Sequence, residues 1–367
     1  MENRATLRNL NLLADYTEQL RSHPRLTYLF FELTEACNLC CAHCGSWASP
    51  ECKKMLTFAQ VRRVLDRVAQ AYPPQQIMIC LTGGEPLLHP AFLEIVTYAR
   101  SLGFHCGVTT NGTLITPEYA RRLRESRIDS VTVSLDGLRA QHNRLRRRPW
   151  AFDQAVEGIR NLVSQAGDAI TTQVTTVVHR DNFPELEKIF DLVTSLGVHS
   201  WRVVNIEPIG RALDHADLLL TPEELQHLLL YIREKRFDPH VQMDVTYGCS
   251  HYLTPRLENM TRDGYFICGS GVYVASILCN GDIYSCLDIE RRPELVQGNI
   301  ETDDFIDVWE NRFQIFRMDR TQLCQECMAC EDRRYCRGDS AHTWDYDRNQ
   351  PLLCVKKMLS TMKEEPR

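Results

Sequence analysis

From about residue 26 to residue 240, short apolar runs alternate with amphipathic helical patterns, and this alternation constrains the fold more than any other feature. Repeated βα units bury a parallel sheet under helices, because a crossover between parallel strands needs a dozen or more residues. Strands are expected at 28–33, 76–82, 105–110, 130–135, 173–178 and 201–206. Helices are expected at 57–71, at 116–126, and at 183–196 after the capping-type Asp181 and Asn182. Another opens at Thr221-Pro222-Glu223-Glu224, a cap followed by proline in the first turn. Six such units predict an α/β fold built on a partial (β/α)6 barrel of the TIM type rather than a closed eight-stranded one. Its site should lie at the C-terminal ends of the strands.

The 367 residues, 44% of them hydrophobic, are enough for one large domain and a smaller one. A formal net charge of -6 leaves no electrostatic footprint for nucleic acid or an anionic membrane. Sixteen cysteines are far above ordinary usage and admit a disulfide framework, zinc sites or iron-sulfur clusters. Residues 1–20 mix Asn, Arg, Asp and Glu with leucines and carry no signal-peptide core, and no segment is apolar enough to span a bilayer. The expected location is the cytoplasm, where thiols stay reduced and clustered cysteines serve as ligands. After about residue 245 the pattern changes. Nine of the sixteen cysteines fall there, and 305–317 is the best remaining helical stretch, which reads as a small metal-stapled domain.

Cys37, Cys41 and Cys44 follow the first strand with the spacing C-x3-C-x2-C. Three thiolates on one loop can ligate three irons of a cubane and leave the fourth open to a ligand. The alternative is a structural zinc site with His43 as fourth donor. Gly83-Gly84-Glu85-Pro86 ends the second strand; its glycines admit close backbone approach, and its carboxylate and carbonyls can accept from an ammonium group. Taken alone it is a tight turn. On consecutive strand ends, the two motifs together resemble the radical S-adenosylmethionine superfamily.

That resemblance implies a 4Fe-4S cluster on Cys37, Cys41 and Cys44, with the Gly83, Gly84, Glu85, Pro86 turn binding the methionine amino group. It further implies cofactor contacts from Asn111 in Thr109-Thr110-Asn111-Gly112 and from Ser134 and Asp136 in Ser134-Leu135-Asp136-Gly137, although both segments also suit ordinary turns. Glu207-Pro208-Ile209-Gly210-Arg211 resembles a segment that approaches the adenine and carboxylate end of the cofactor. Arg146, with His142, falls in a stretch similar to the loop after strand four and would face the cofactor; the run Arg144, Arg146, Arg147, Arg148 otherwise reads as a solvated loop. The implied chemistry is reductive homolysis of the sulfonium, giving a 5'-deoxyadenosyl radical that abstracts a substrate hydrogen.

Farther on, Cys268-x12-Gly281-x4-Cys286, then Cys327-x2-Cys330-x5-Cys336, then Cys354 resemble the SPASM auxiliary-cluster domain. The resemblance divides the chain into an N-terminal helical extension (1–25), a radical barrel (26–240) and a SPASM domain (241–367). It assigns Cys327, Cys330, Cys336 and Cys354 to an outer auxiliary 4Fe-4S cluster. Cys268 and Cys286 go to an inner one, with Cys249 as upstream ligand. The family places another cysteine where this chain has Ser340. Cys324 is the first replacement, Asp339 the second and an open iron the third. A pair of zinc ribbons is the alternative for the whole region. Asp288 lies one residue later than the base of sulfatase-maturating relatives, a shift that on a strand turns a side chain to the other face. Cys80 and Cys106 read as buried free thiols, and Cys40 as pointing away from its neighbouring ligand.

The implied function is modification of a ribosomally made peptide by crosslink, thioether, epimerisation or backbone rearrangement. An electron donor such as flavodoxin or ferredoxin is expected. Residues 1–25 are too short for the leader-binding domain of many relatives, so a separate leader-binding protein is a further expected partner. The alternatives are a radical dehydrogenase of a protein residue or a small alcohol, and a metal-binding protein without catalysis.

Overall fold

The computed structural model describes residues 2–360. The six expected strands form at Tyr28–Glu32 (β1), Met78–Thr82 (β2), His105–Thr110 (β3), Ser130–Ser134 (β4), Thr171–Val178 (β5) and Ser200–Asn205 (β6). Each pairs in parallel with the next, from Phe31 opposite Leu81 to Val178 opposite Asn205. The crossover helices start where their caps indicate. Thr57 and Gln60 close a capping box on the helix Phe58–Ala71, and Thr221 and Glu224 close another on Pro222–Phe237. Such a box satisfies two backbone N–H groups that would otherwise lack partners, and losing its cap costs about 1 kcal/mol. Val61, Val64, Leu65 and Val68 recur at helical spacing on one stripe and are buried in the core shared with the sheet.

The sheet runs beyond the expected six strands. Asp244–Tyr247 (β7) adds in parallel to β6, and Val274–Ile277 (β8) adds in parallel to β1. Asp282–Tyr284 (β9) and Gly298–Asn299 (β10) continue antiparallel from β8, giving the order β10-β9-β8-β1-β2-β3-β4-β5-β6-β7. None of these four exceeds four residues. Tyr28 pairs with Val274, so the contact that defines β8 lies far outside any local sequence window. The stretch 305–317 also departs from expectation, forming Phe305–Asn311 and Gln314–Arg317. The break at Arg312 and Phe313 buries the Phe313 ring against Trp309 (5.1 Å between centroids) and Phe316 (6.1 Å), and aromatic packing there outweighs helix continuity.

The helix Glu2–Ser22 packs on the cysteine-rich C-terminal region rather than on the sheet. Leu10 is buried with Tyr252 and Phe266, and Asp15 and Glu18 pair with Arg334 and Arg337. Among the described residues no helix is long and apolar enough to cross a membrane. The segments after β1, β2, β3, β4 and β6 carry Cys37–Cys44, Gly83–Pro86, Asn111, Asp136 and Glu207, so all of them gather at one rim of the parallel sheet.

Candidate functional site

Cys37 and Cys41 are buried and Cys44 is half-buried; all sixteen cysteines are free thiols. Burial pushes the Cys37 thiol up to about 12, and the neighbouring Cys41, Glu85 and Cys44 add to the rise. Two arginines from distant segments hold this loop. Arg211 donates from Nε to the Cys41 carbonyl (2.8 Å) and from a terminal nitrogen to the Ala48 carbonyl (2.9 Å). Arg146 donates to Cys41 Sγ at 3.6 Å, bringing a fixed positive charge to a thiolate donor. The segment 207–211 therefore braces the loop through Arg211, whose own backbone N–H also bonds the Cys44 carbonyl at 3.0 Å.

The glycine turn fits against the same loop with no room to spare. A Cβ on Gly83 would stand 2.5 Å from the Thr34 carbonyl oxygen, and one on Gly84 would stand 2.4 Å from that of Ala36. Both distances are below any real contact, and Gly83 also sits at φ 153°, so these positions require glycine. Glu85 is fully buried. It accepts from Thr110 Oγ1 (2.7 Å) and the Asn111 backbone N–H (2.8 Å), tying the β2 turn to the end of β3, and burial raises its carboxyl above the ordinary range. Asn111 reaches Asn38 Oδ1 at 2.8 Å and lies 4.0 Å from Cys37 Sγ. Ser134 is half-buried at the end of β4.

Asp136 is committed within the protein. It takes Arg146 Nε at 2.5 Å and the Val177 backbone N–H at 3.0 Å. Burial would raise its carboxyl, but Arg146 foremost, then His43, His142 and the Val177 N–H, hold it down to about 2. The direct role of Asp136 in the fold is thus to orient Arg146 toward Cys41. Of the basic run only Arg146 is buried; Arg144 and Arg147 are exposed, as a solvated loop requires.

A second polar constellation joins the barrel rim to the C-terminal region, and sequence reasoning missed it. Asp339 Oδ2 lies 2.7 Å from His251 Nδ1, His251 Nε2 lies 2.6 Å from Glu207 Oε1, and Glu207 Oε2 lies 3.0 Å from His342 Nε2. Burial alone would depress both imidazoles. The flanking carboxylates reverse this, raising His251 to about 10 and His342 to about 9, while the two imidazolium charges hold Glu207 well below the carboxylate range. The four residues lie up to 135 positions apart in sequence and have no local spacing signature. Asp288 stands near His342 and Cys286, and its Oδ1 lies 3.7 Å from where a Gly45 Cβ would be. The strand-face argument against Asp288 does not apply, because β9 ends at Tyr284 and Asp288 sits in the turn that follows. It is exposed at the barrel mouth, beside the first cysteine loop.

Thiols of the C-terminal region approach one another in two places. Cys327 lies among Cys324, Cys330 and Cys354, and Cys336 lies beside Cys354. Cys286 lies beside Cys268, with Glu207 near both Cys286 and Cys249. Burial would raise Cys268, but Arg320 and the N–H groups of Ser270 and Ala341 bring it below the usual thiol value. Cys324, the expected inner replacement, accepts from the Cys327 backbone N–H at 3.5 Å and so stands in the outer group.

A rim with three free thiols on one loop, a glycine cradle pressed on that loop and further thiols beyond it has the donors that an iron-sulfur enzyme with a small organic cofactor requires. The radical SAM superfamily model matches residues 31–193, and the model of an iron-sulfur cluster-binding domain, SPASM, matches residues 268–331. The AdoMet-dependent heme synthase of Methanosarcina barkeri is 30% identical over 354 residues, covering 90% of this chain and 96% of that protein. The mycofactocin maturase MftC of Mycobacterium tuberculosis is 32% identical over 314 residues, covering 84% of this chain and 77% of the relative. Among solved structures, anSMEcpe with bound AdoMet superposes with a TM-score of 0.70 at 18% identity, covering 91% of this chain and 95% of that one. Streptococcus suis SuiB bound to its precursor peptide SuiA superposes at 0.69 and 17%, covering 86% and 72%. The chain belongs to the radical SAM superfamily, in its SPASM-bearing branch. It is a radical SAM enzyme that uses iron-sulfur clusters and S-adenosylmethionine.

Proposed function

We propose that this enzyme modifies a ribosomally made peptide in the cytoplasm, abstracting a hydrogen from a residue held at the barrel mouth. In this reading Cys37, Cys41 and Cys44 hold the cluster that binds S-adenosylmethionine, and Gly83, Gly84, Glu85, Pro86, Asn111, Ser134, Asp136 and Arg146 surround or support the cofactor. Cys327, Cys330, Cys336 and Cys354 hold the outer auxiliary cluster, and Cys249, Cys268 and Cys286 contribute to the inner one. When bound, the first cluster and S-adenosylmethionine supply the radical that takes the hydrogen atom. The chain's own residues fix the geometry. Arg211 and the Gly83-Gly84 cradle immobilise the cysteine loop, and the Asp136–Arg146 pair brings positive charge to Cys41.

The observation that carries the reading is Asp288 standing over Gly45 with His342 and Glu207 behind it, which lines the mouth with polar groups from both halves of the chain. Likeness to the mycofactocin maturase supports a peptide as the substrate. A second reading, a tetrapyrrole substrate, is favoured by the likeness to the heme synthase across 96% of that protein. An electron donor of the flavodoxin or ferredoxin class and a separate leader-binding protein complete the proposed partners.

The test is to incubate reconstituted, reduced enzyme with S-adenosylmethionine and either a small peptide encoded beside it or an iron coproporphyrin. A mass change in the peptide accompanied by 5'-deoxyadenosine is expected. Turnover of the porphyrin with no change in the peptide would replace the first reading with the second.

A further inference from the structure

We propose that Arg202 binds a carboxylate of the substrate inside the barrel, so that the molecule modified carries an acidic group close to the hydrogen that is taken. The inference rests on the reading above that the substrate is held in this barrel.

Successive side chains of a strand point to opposite faces of its sheet. On β6, Trp201 and Val203 are buried in the core on the helix side, with the Trp201 ring 5.9 Å from Phe190 of the helix Leu186–Ser195. Arg202 lies between them and so points to the other face, the inside of the barrel, where it is exposed. In register it stands opposite Thr175, and Thr175 stands opposite Ser134. Arg202 thus shares a level with Ser134, one of the residues placed at the cofactor, two strands or about 10 Å away. From β2, the Cys80 thiol feels the Arg202 charge, which opposes the upward push of burial.

The guanidinium is held in place but not neutralised. A terminal nitrogen donates to the Gly248 carbonyl at 2.8 Å. A Cβ on Gly248 would stand 2.2 Å from Arg202 Nε and 2.5 Å from its Cγ, so the glycine makes room for the arm. Among the described residues no carboxylate pairs with Arg202. The other arginines at the mouth are spent, Arg146 on Asp136, Arg211 on the Cys41 and Ala48 carbonyls, and Arg291 on Glu32 and Glu35. Glu32, the acid on the inner face of β1, also accepts from the Cys279 backbone N–H at 3.1 Å.

Water solvates an exposed guanidinium. A substrate that fills the barrel displaces that water, and a cation buried without a partner would oppose binding. The substrate must therefore bring the anion. The planar fork of an arginine meets a carboxylate through two parallel N–H···O bonds, which fixes orientation as well as position. Both substrate readings offer that group, as an acidic side chain or C-terminus of a peptide or as a propionate of a porphyrin.

The test uses reconstituted, reduced enzyme with S-adenosylmethionine and two probes, the small peptide encoded beside it and iron coproporphyrin, each also with its carboxylates amidated. For wild type, Arg202→Met and Arg202→Lys the readout is kcat/KM, or the inhibition constant of a form that binds without turning over. Arg202→Met should weaken the acid form of one probe by about 10- to 100-fold, through KM more than kcat. The amidated form of that probe should be weakened far less, because the partner of the lost charge is already gone. Arg202→Lys should recover part of the loss. An effect on the acid peptide makes a peptide carboxylate the partner, and an effect on the acid porphyrin makes it a propionate. Equal losses for acid and amidated forms would assign Arg202 to the cofactor, to Cys249, which its charge also reaches, or to the fold, and would overturn the inference. Unaltered values in the Arg202→Met protein, or amidated forms that serve the wild type as well as the acids do, would overturn it too. A wild type that modifies neither probe would instead break the underlying reading of the function and take the inference with it.

Discussion

The two cysteine-bearing regions are built on opposite plans. The barrel's three thiols sit on one eight-residue loop, and the rest of the molecule comes to them: Arg211 from beyond β6, Arg146 from the helix after β4, and the glycine turn from the end of β2. The C-terminal thiols come from five separate segments, around 249, 268, 286, 324–336 and 354, and only tertiary packing gathers them. A donor set on one loop needs bracing, and a dispersed set needs a fold. The first is therefore sensitive to changes in the groups that brace it, the second to changes in the segments that position each thiol.

The largest test of this contrast is chemical. Cys37→Ala is expected to abolish 5'-deoxyadenosine formation completely, while Cys354→Ala, acting on an auxiliary site, retains a measurable part; equal loss in both would erase the distinction. Next comes Arg146→Met, which leaves Asp136 buried beside apolar atoms with its main counter-charge gone. Unfolding by denaturant should show a loss of about 3–5 kcal/mol, and an unchanged midpoint would mean that Asp136 has another partner. Arg211→Ala removes two charge-assisted bonds to loop carbonyls and should cost about 2–3 kcal/mol. Its more telling effect is lower iron loading at the first site with the auxiliary iron untouched, read by metal analysis: Arg211→Ala should lower the iron of the wild type and leave that of the Cys37→Ala, Cys41→Ala, Cys44→Ala protein unchanged.

The last effect is one of pH. His342 has its folded value raised to about 9 by Glu207, against about 6.5 when unfolded. A raised value means that the folded state binds the proton more tightly. The stabilisation is therefore complete below about pH 6.5 and lost as pH rises through about 9. Denaturation midpoints of the metal-free chain should fall across that window, and His342→Ala should lessen the fall, leaving the part that His251 contributes as it titrates towards about 10. A slope that His342→Ala leaves intact would place the titration on a different group.

What was legible in the sequence follows the same division. Six strands and their capped helices could be read because each carries its signal within a dozen residues, as Thr57 and Gln60 do for the helix they start. β7 and β8 could not, since four residues such as Val-Ala-Ser-Ile become a strand only by meeting β1, which lies far away in the chain. The Cys37–Cys44 loop and the Gly83-Gly84-Glu85-Pro86 turn were visible as spacing, but the part played by Asp136 was not. Only the fold shows that its carboxylate serves Arg146 rather than facing outward. The Asp339–His251–Glu207–His342 chain left no trace at all, because its members approach one another through three different loops. Asp288 is exposed, and the period-two rule applied to it has no hold in the turn it occupies.

The central claim is that the loop thiols, and not the dispersed ones, hold the cluster that cleaves S-adenosylmethionine. Iron, sulfide and 5'-deoxyadenosine measured together on the reconstituted wild type and on the Cys37→Ala, Cys41→Ala, Cys44→Ala protein test it most directly. The account predicts that the triple variant loses about a third of its iron and sulfide and all of its cleavage. Cleavage that survives in the triple variant, or a wild-type chain that binds zinc in place of iron, would contradict it.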